Sequence, residues 1–153
     1  LAMERLLKFP RVAARNLERR DVMLPEAFEG ARNVVMLAFK QRHQTSVDSW
    51  VPWLETLKES DPGFSFYEIP AIGRVWSPFR SLIDGGMAAA IREPVVLRRT
   101  LTFYGDVSLI TTPLGITNRD TIHVIAVDNQ FHVRGMVRGA FCESNVREIL
   151  RAI

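Results

Sequence analysis

Six consecutive apolar residues, Val34 to Phe39, constrain this chain more than any other feature. A run of that length, rich in strand formers and without polar alternation, suits a strand covered on both faces. Such a strand belongs in the middle of a mostly parallel sheet with layers packed on either side. The next segment agrees. Val47, Trp50, Val51, Leu54 and Leu57 recur at helical spacing, so 46–59 reads as an amphipathic helix. Ser46 is its expected N-cap, with Asp48 and Ser49 in the first turn. Ser60-Asp61-Pro62-Gly63 ends the helix, and Phe64 to Ile69 is a second strand closed by Pro70.

On either side of this unit the punctuation is clear. Val12 to Leu17 and Val22 to Leu24 flank the polar group Glu18 to Asp21 and read as a hairpin stopped by Pro25. Ser77-Pro78 reads as a helix start with Phe79, Leu82 and Ile83 on its packing face. Gly85-Gly86 implies a kink or a restart at Met87, running to Ile91, and Pro94 a break. Thr100 to Phe103 alternates like a strand, and Asp106 should cap a short helix through Leu114. Ile122 to Val127 and Phe131 to Val137, joined by Asp128-Asn129-Gln130, must be antiparallel neighbours. A last helix spans 144–153, with Val146, Ile149 and Leu150 on one side. The 153 residues fit one α/β domain over 9–153, preceded by an extension at 1–8 that reads as a leader stub or cloning remnant.

Composition excludes several chemistries. The single cysteine, Cys142, rules out an intramolecular disulfide, a CxxC pair and a zinc site built on several thiolates. His43, His123 and His132 lack ligand spacing, so no metal is expected. Gly85-Gly86 lacks the Lys-Ser/Thr of a phosphate loop, and no Gly-x-Ser-x-Gly elbow occurs. Glu68 and Asp84 have no partner in sequence for acid–base work. No cofactor is implied. The longest apolar run is far short of the roughly 18 residues a membrane helix needs. A net charge of +3 is too modest to imply a nucleic-acid partner. All of the 20 basic residues except Lys8, Lys40 and Lys58 are Arg. Two stretches are dense: Arg11, Arg15, Arg19 and Arg20, and Arg92, Arg98 and Arg99. Each reads as a solvated face or as a surface for an acidic or phosphate-bearing partner.

The order strand, helix, strand, helix, strand, short helix, hairpin, helix resembles the thioredoxin-like fold in its peroxiredoxin-like elaboration, with an N-terminal hairpin. In that family a buried strand ends in an aromatic, a CxxC pair opens the next helix, and a proline kinks that helix further on. Here Phe39 ends the strand, Gln44 and Val47 hold the two cysteine positions, and Pro52 stands five residues beyond Val47. Gly86-Met87, Thr102 to Asp106, Leu114-Gly115-Ile116 and Val127 through Gly139 resemble a narrower group, the thioredoxin-like ATP synthase assembly factors and their bacterial relatives. That resemblance implies a three-layer sandwich around a mixed sheet, and a protein that binds or helps assemble a membrane complex. It supplies no catalytic residue.

The departures carry as much as the matches. Gln44-Thr45-Ser46-Val47 contains no thiol, so neither dithiol exchange nor peroxidatic chemistry can occur there. The family's cis-proline falls at Ile122, and its last hairpin glycine at Phe131, leaving Asn129 to tolerate the tight backbone. The first reading is therefore a redox-inactive protein-binding or chaperone-like factor. Its expected surface is Lys40, Arg42, His43 and Gln44 with Trp50 and Trp53, the last exposed beside Trp76 or Phe79. Two enzyme readings stand beside it: a thiol enzyme using Cys142, and an anion-binding catalyst at Arg42 and His43. Cys142 otherwise reads as a semi-buried small residue. The sequence assigns no compartment.

Overall fold

In the computed structural model, residues 7–73 and 94–153 are described. The helix expected from Ser77-Pro78 to Ile91, with Trp76, Asp84 and Gly85-Gly86, lies outside them.

The apolar run becomes β3 (Arg32–Ala38), buried at every position after Arg32. It is parallel to β4 (Phe64–Gly73) and antiparallel to β6 (His123–Asp128). β6 pairs antiparallel with β7 (Val133–Arg138). On the other side β4 runs parallel to β5 (Leu101–Gly105), beside the N-terminal hairpin of β1 (Val12–Asn16) and β2 (Asp21–Leu24). The mixed sheet has the order β2-β1-β5-β4-β3-β6-β7.

Alternating residues of β3 feed two cores. Val34, Met36 and Ala38 face α1 (Gln44–Ser60) and α4 (Glu143–Ala152) through Trp50, Leu54 and Ile149. Val35 and Leu37 face the opposite layer with Phe9, Phe28, Ile110 and Leu114. Ile110 belongs to the short α3 (Ser108–Thr111), and Asp106 Oδ1 accepts the Ser108 backbone N–H at 3.0 Å just before it. This is the three-layer arrangement that the strand pattern requires.

Several local expectations change. The helix starts at Gln44, behind a 3₁₀ turn at Gln41–His43, so Ser46 is inside its first turn and not its cap. β4 runs through Pro70 to Gly73. Pro70 pairs with Ala38, the last residue of β3, so its missing N–H falls where that ladder ends. A helix that the sequence reading did not include, α2 (Pro94–Arg99), opens at Pro94, and the break expected before it falls outside the described residues. Phe131 itself, not Asn129, takes the left-handed conformation in the last hairpin (φ 68°). Its N–H donates to the Asp128 carbonyl and its own carbonyl accepts the Phe9 N–H at 2.8 Å, so pairing on both sides holds the strained residue. In α4, Ile149 is buried while Leu150 is exposed.

Candidate functional site

β3 ends at the sheet's carboxyl edge opposite Pro70, β4 runs on to Gly73, and α1 begins directly above. A cavity of about 790 Å³ opens there. Ala38, Phe39, Pro70 and Ile72 give it apolar walls, while Lys40, Gln41, Gln44 and Glu68 give it polar ones. A concave, largely apolar site with a few convergent polar groups at the end of parallel strands is where an α/β protein places its ligand.

Gln44 and Val47, which the resemblance in the sequence aligns with a cysteine pair, differ in environment. Gln44 is exposed on the rim, and its Nε2 donates to Asp48 Oδ1 at 2.8 Å one turn along α1. Val47 points inward and is fully packed. A thiol is absent from both, so the helix start presents the Gln44 amide to the cavity and buries the Val47 side chain in the core.

His43 is not the exposed loop residue expected. It is 3% exposed, and its Nδ1 accepts the backbone N–H of Phe39 at 3.0 Å and of Lys40 at 3.2 Å. Accepting two N–H groups at Nδ1 puts the proton on Nε2. Burial, with Arg42 and Lys40 adding to it, holds its pKa below the ordinary imidazole value. Lys40 and Arg42 both turn to Asp120: Lys40 Nζ bonds its Oδ1, and Arg42 Nη2 lies 3.6 Å from the same atom. The two cations thus share one carboxylate, which the Lys40 bond holds below its usual range.

Trp50 is wholly buried and cannot be part of a docking surface, contrary to expectation. Its Nε1 donates to the Gly139 carbonyl at 3.0 Å, where Gly139 takes a left-handed φ of 96°. Trp53 is half-buried, edge-on to Trp50 (5.9 Å) and tilted against Phe141 (6.1 Å), away from the cavity lining. Ile122, at the family's cis-proline position, is buried just before β6; among the described residues the one cis peptide is Leu24-Pro25.

Cys142 is exposed, not semi-buried. It occupies the N-cap of α4, with Sγ 3.4 Å from Ser144 Oγ. Hydrogen bonds from the Ser144 hydroxyl and the Asn145 backbone lower its thiol pKa. The Phe141 N–H donates to Ser49 Oγ, so the connection carrying Cys142 lies beside the second turn of α1, and Cys142 does not line the cavity.

Glu68 is the group that sequence reasoning missed. It lines the cavity, and burial followed by repulsion from Asp48 pushes its carboxyl up to about 7, against a weaker opposing hydrogen bond from Gln44. The signal was the alternation in β4: Phe64, Phe66 and Glu68 share a face, and the first two are buried. Among the described residues no group of three metal-ligating side chains comes together.

No family model and no curated protein sequence matches the chain. Solved structures do. A thioredoxin-family thiol:disulfide interchange protein from Chlorobium tepidum shares 16% identity over 99% of both chains, with a TM-score of 0.58. The thioredoxin domain of a thiol-disulfide oxidoreductase from Bacteroides vulgatus shares 15% identity over 98% of this chain and 97% of that one, at 0.60. BsSco, of the Sco family of cytochrome c oxidase assembly proteins, shares 12% identity over 99% and 95%, at 0.61. The chain has the thioredoxin-like fold, and at these identities the likeness speaks for the fold alone.

Proposed function

We propose that this chain is a thioredoxin-like binding protein that performs no thiol chemistry and acts on a protein partner as an assembly or chaperone-like factor for a membrane complex. The observation that carries this reading is the pair Gln44 and Val47 at the start of α1, over a cavity that keeps its position at the sheet's carboxyl edge. A redox site needs a thiolate at that helix start. Here the cavity remains and the reacting atoms do not. The ATP synthase assembly resemblance in the sequence, and the oxidase assembly family of one structural neighbour, favour an assembly role among binding roles.

Two alternatives have less support. An anion catalyst at Arg42 and His43 would need free positive charge and an exposed base; Lys40 and Arg42 share Asp120, and His43 is buried. A thiol enzyme using Cys142 has an exposed thiol of lowered pKa, but no second thiol and no place in the cavity. Photocrosslinking tests the binding reading. A photoactivatable residue replacing Gln41, on the cavity rim, should capture a discrete partner from membrane extracts, and one replacing Arg147, on α4, should not. Equal capture at both positions, or none at either, contradicts the reading.

A further inference from the structure

The two basic stretches of the sequence, far apart in the chain, meet at a second cavity. It measures about 420 Å³ and lies against the beginning of β4, away from the Gln44 site. Arg20, from the turn between β1 and β2, and Arg98 and Arg99, from α2, line it together with Lys58 from the last turn of α1. The opposing charges are few. Glu18 lies 3.8 Å from Arg98, Glu55 pairs with Arg99, and Glu29 stands exposed at the mouth. Among the described residues no ion pair holds Arg20 or Lys58, and Asp61, which acts on Lys58, is itself bonded to Arg32.

Asn16 adds a fixed donor. It is 6% exposed and lines the cavity. Its Oδ1 accepts the backbone N–H groups of Glu18 and Arg20 at 2.9 and 3.1 Å, which locks the turn from which Arg20 projects. Its Nδ2 makes no bond within the described protein, yet it is not sealed from solvent. Ser65 also lines the cavity, its side chain hydrogen-bonded to Tyr67. The remaining wall is apolar, from Val22, Ala27, Phe66 and Leu101. Arg99 lies 4.1 Å over the Phe66 ring, so one cation is held rigid at the junction of the polar and apolar walls.

We propose that this cavity binds a small phosphate monoester, its phosphoryl group among Arg20, Lys58, Arg98 and the Asn16 amide, its organic part against the apolar wall. The volume suits a small ligand. Clustered guanidinium groups, a lysine and neutral N–H donors match a dianion with three acceptor oxygens. The inference is independent of the reading of the Gln44 site.

Titration of the whole chain with phenyl phosphate at constant ionic strength, followed by amide NMR, tests it. Saturable shifts are expected at the Asn16 side-chain amide and at Ser65 and Tyr67, with phenyl phosphate binding more tightly than inorganic phosphate. The variant Arg20→Glu/Lys58→Glu changes two exposed side chains and should weaken binding by roughly tenfold or more, about 1.4 kcal/mol. The variant Lys40→Glu/Arg42→Glu, at the other cavity, should leave it unchanged. Absence of saturable shifts, equal affinity for inorganic phosphate, or undiminished binding by the Arg20/Lys58 variant would overturn the proposal.

Discussion

The Phe39 backbone N–H donates to His43 Nδ1 at 3.0 Å, and the ring of Phe39 lies edge-on to that of His43 at 6.3 Å. Strand β3 is thereby closed onto the turn that starts α1. The imidazole satisfies backbone donors that the end of β3 leaves without a ladder partner, and does so only while neutral. His43 is thus part of the hinge between strand and helix rather than a group presented to a ligand.

Replacing His43 with Ala should leave the N–H groups of Phe39 and Lys40 without their acceptor in a buried place. The cost of such an orphaned donor is about 1–3 kcal/mol, read as a lower denaturation midpoint. The replacement should not abolish capture through the Gln41 position, because the cavity walls do not include His43.

Glu68 gives a signed pH dependence. Its folded pKa of about 7 lies above the ordinary 4.5, so its favourable contribution is fully present below 4.5 and lost as pH rises through 7. The shift corresponds to about 3 kcal/mol at most. His43 and His123 act in the opposite sense: lowered by burial, they contribute fully above 6.5 and lose that contribution as pH falls through their folded values. The terms oppose each other between 4.5 and 7. Glu68→Gln should therefore gain stability relative to the parent as pH rises across that window. Urea midpoints of the two proteins from pH 4.5 to 7.5 check this; a constant difference would contradict the buried carboxyl.

Trp50 links α1 to the connection between β7 and α4 through Gly139. Trp50→Phe keeps most of the apolar volume but removes the donor and leaves a small void, and should cost about 1–3 kcal/mol. Gly139 amide exchange should quicken relative to that of β3. Equal protection in both proteins would show that this hydrogen bond does not hold the connection.

Much of the fold was legible because its signals are local. Val34 to Phe39 announces a doubly covered strand, the Val47–Leu57 spacing announces the helix, and Asp128 to Gln130 announces the last hairpin. The thiol-free helix start was equally readable at Gln44 and Val47. What escaped depends on tertiary neighbours. Glu68 looks like any polar strand residue until the first turn of α1 covers it. His43 reads as loop polarity until the end of β3 turns two backbone donors toward it. Trp53 looked outward on helical geometry alone, but Phe141, brought across by the connection to α4, half-covers it. Arg20 and Arg98 become neighbours of one cavity only when the hairpin and α2 flank the beginning of β4.

The account stands most directly on the absence of thiol–disulfide exchange. Insulin reduction, with dithiothreitol as the electron donor, should proceed at the uncatalysed rate with the parent chain and with Cys142→Ser alike, while thiol titration finds one reactive group in the parent. Turnover above that rate in the parent, lost in Cys142→Ser, would contradict the claim that the site at Gln44 has kept a binding cavity without its chemistry.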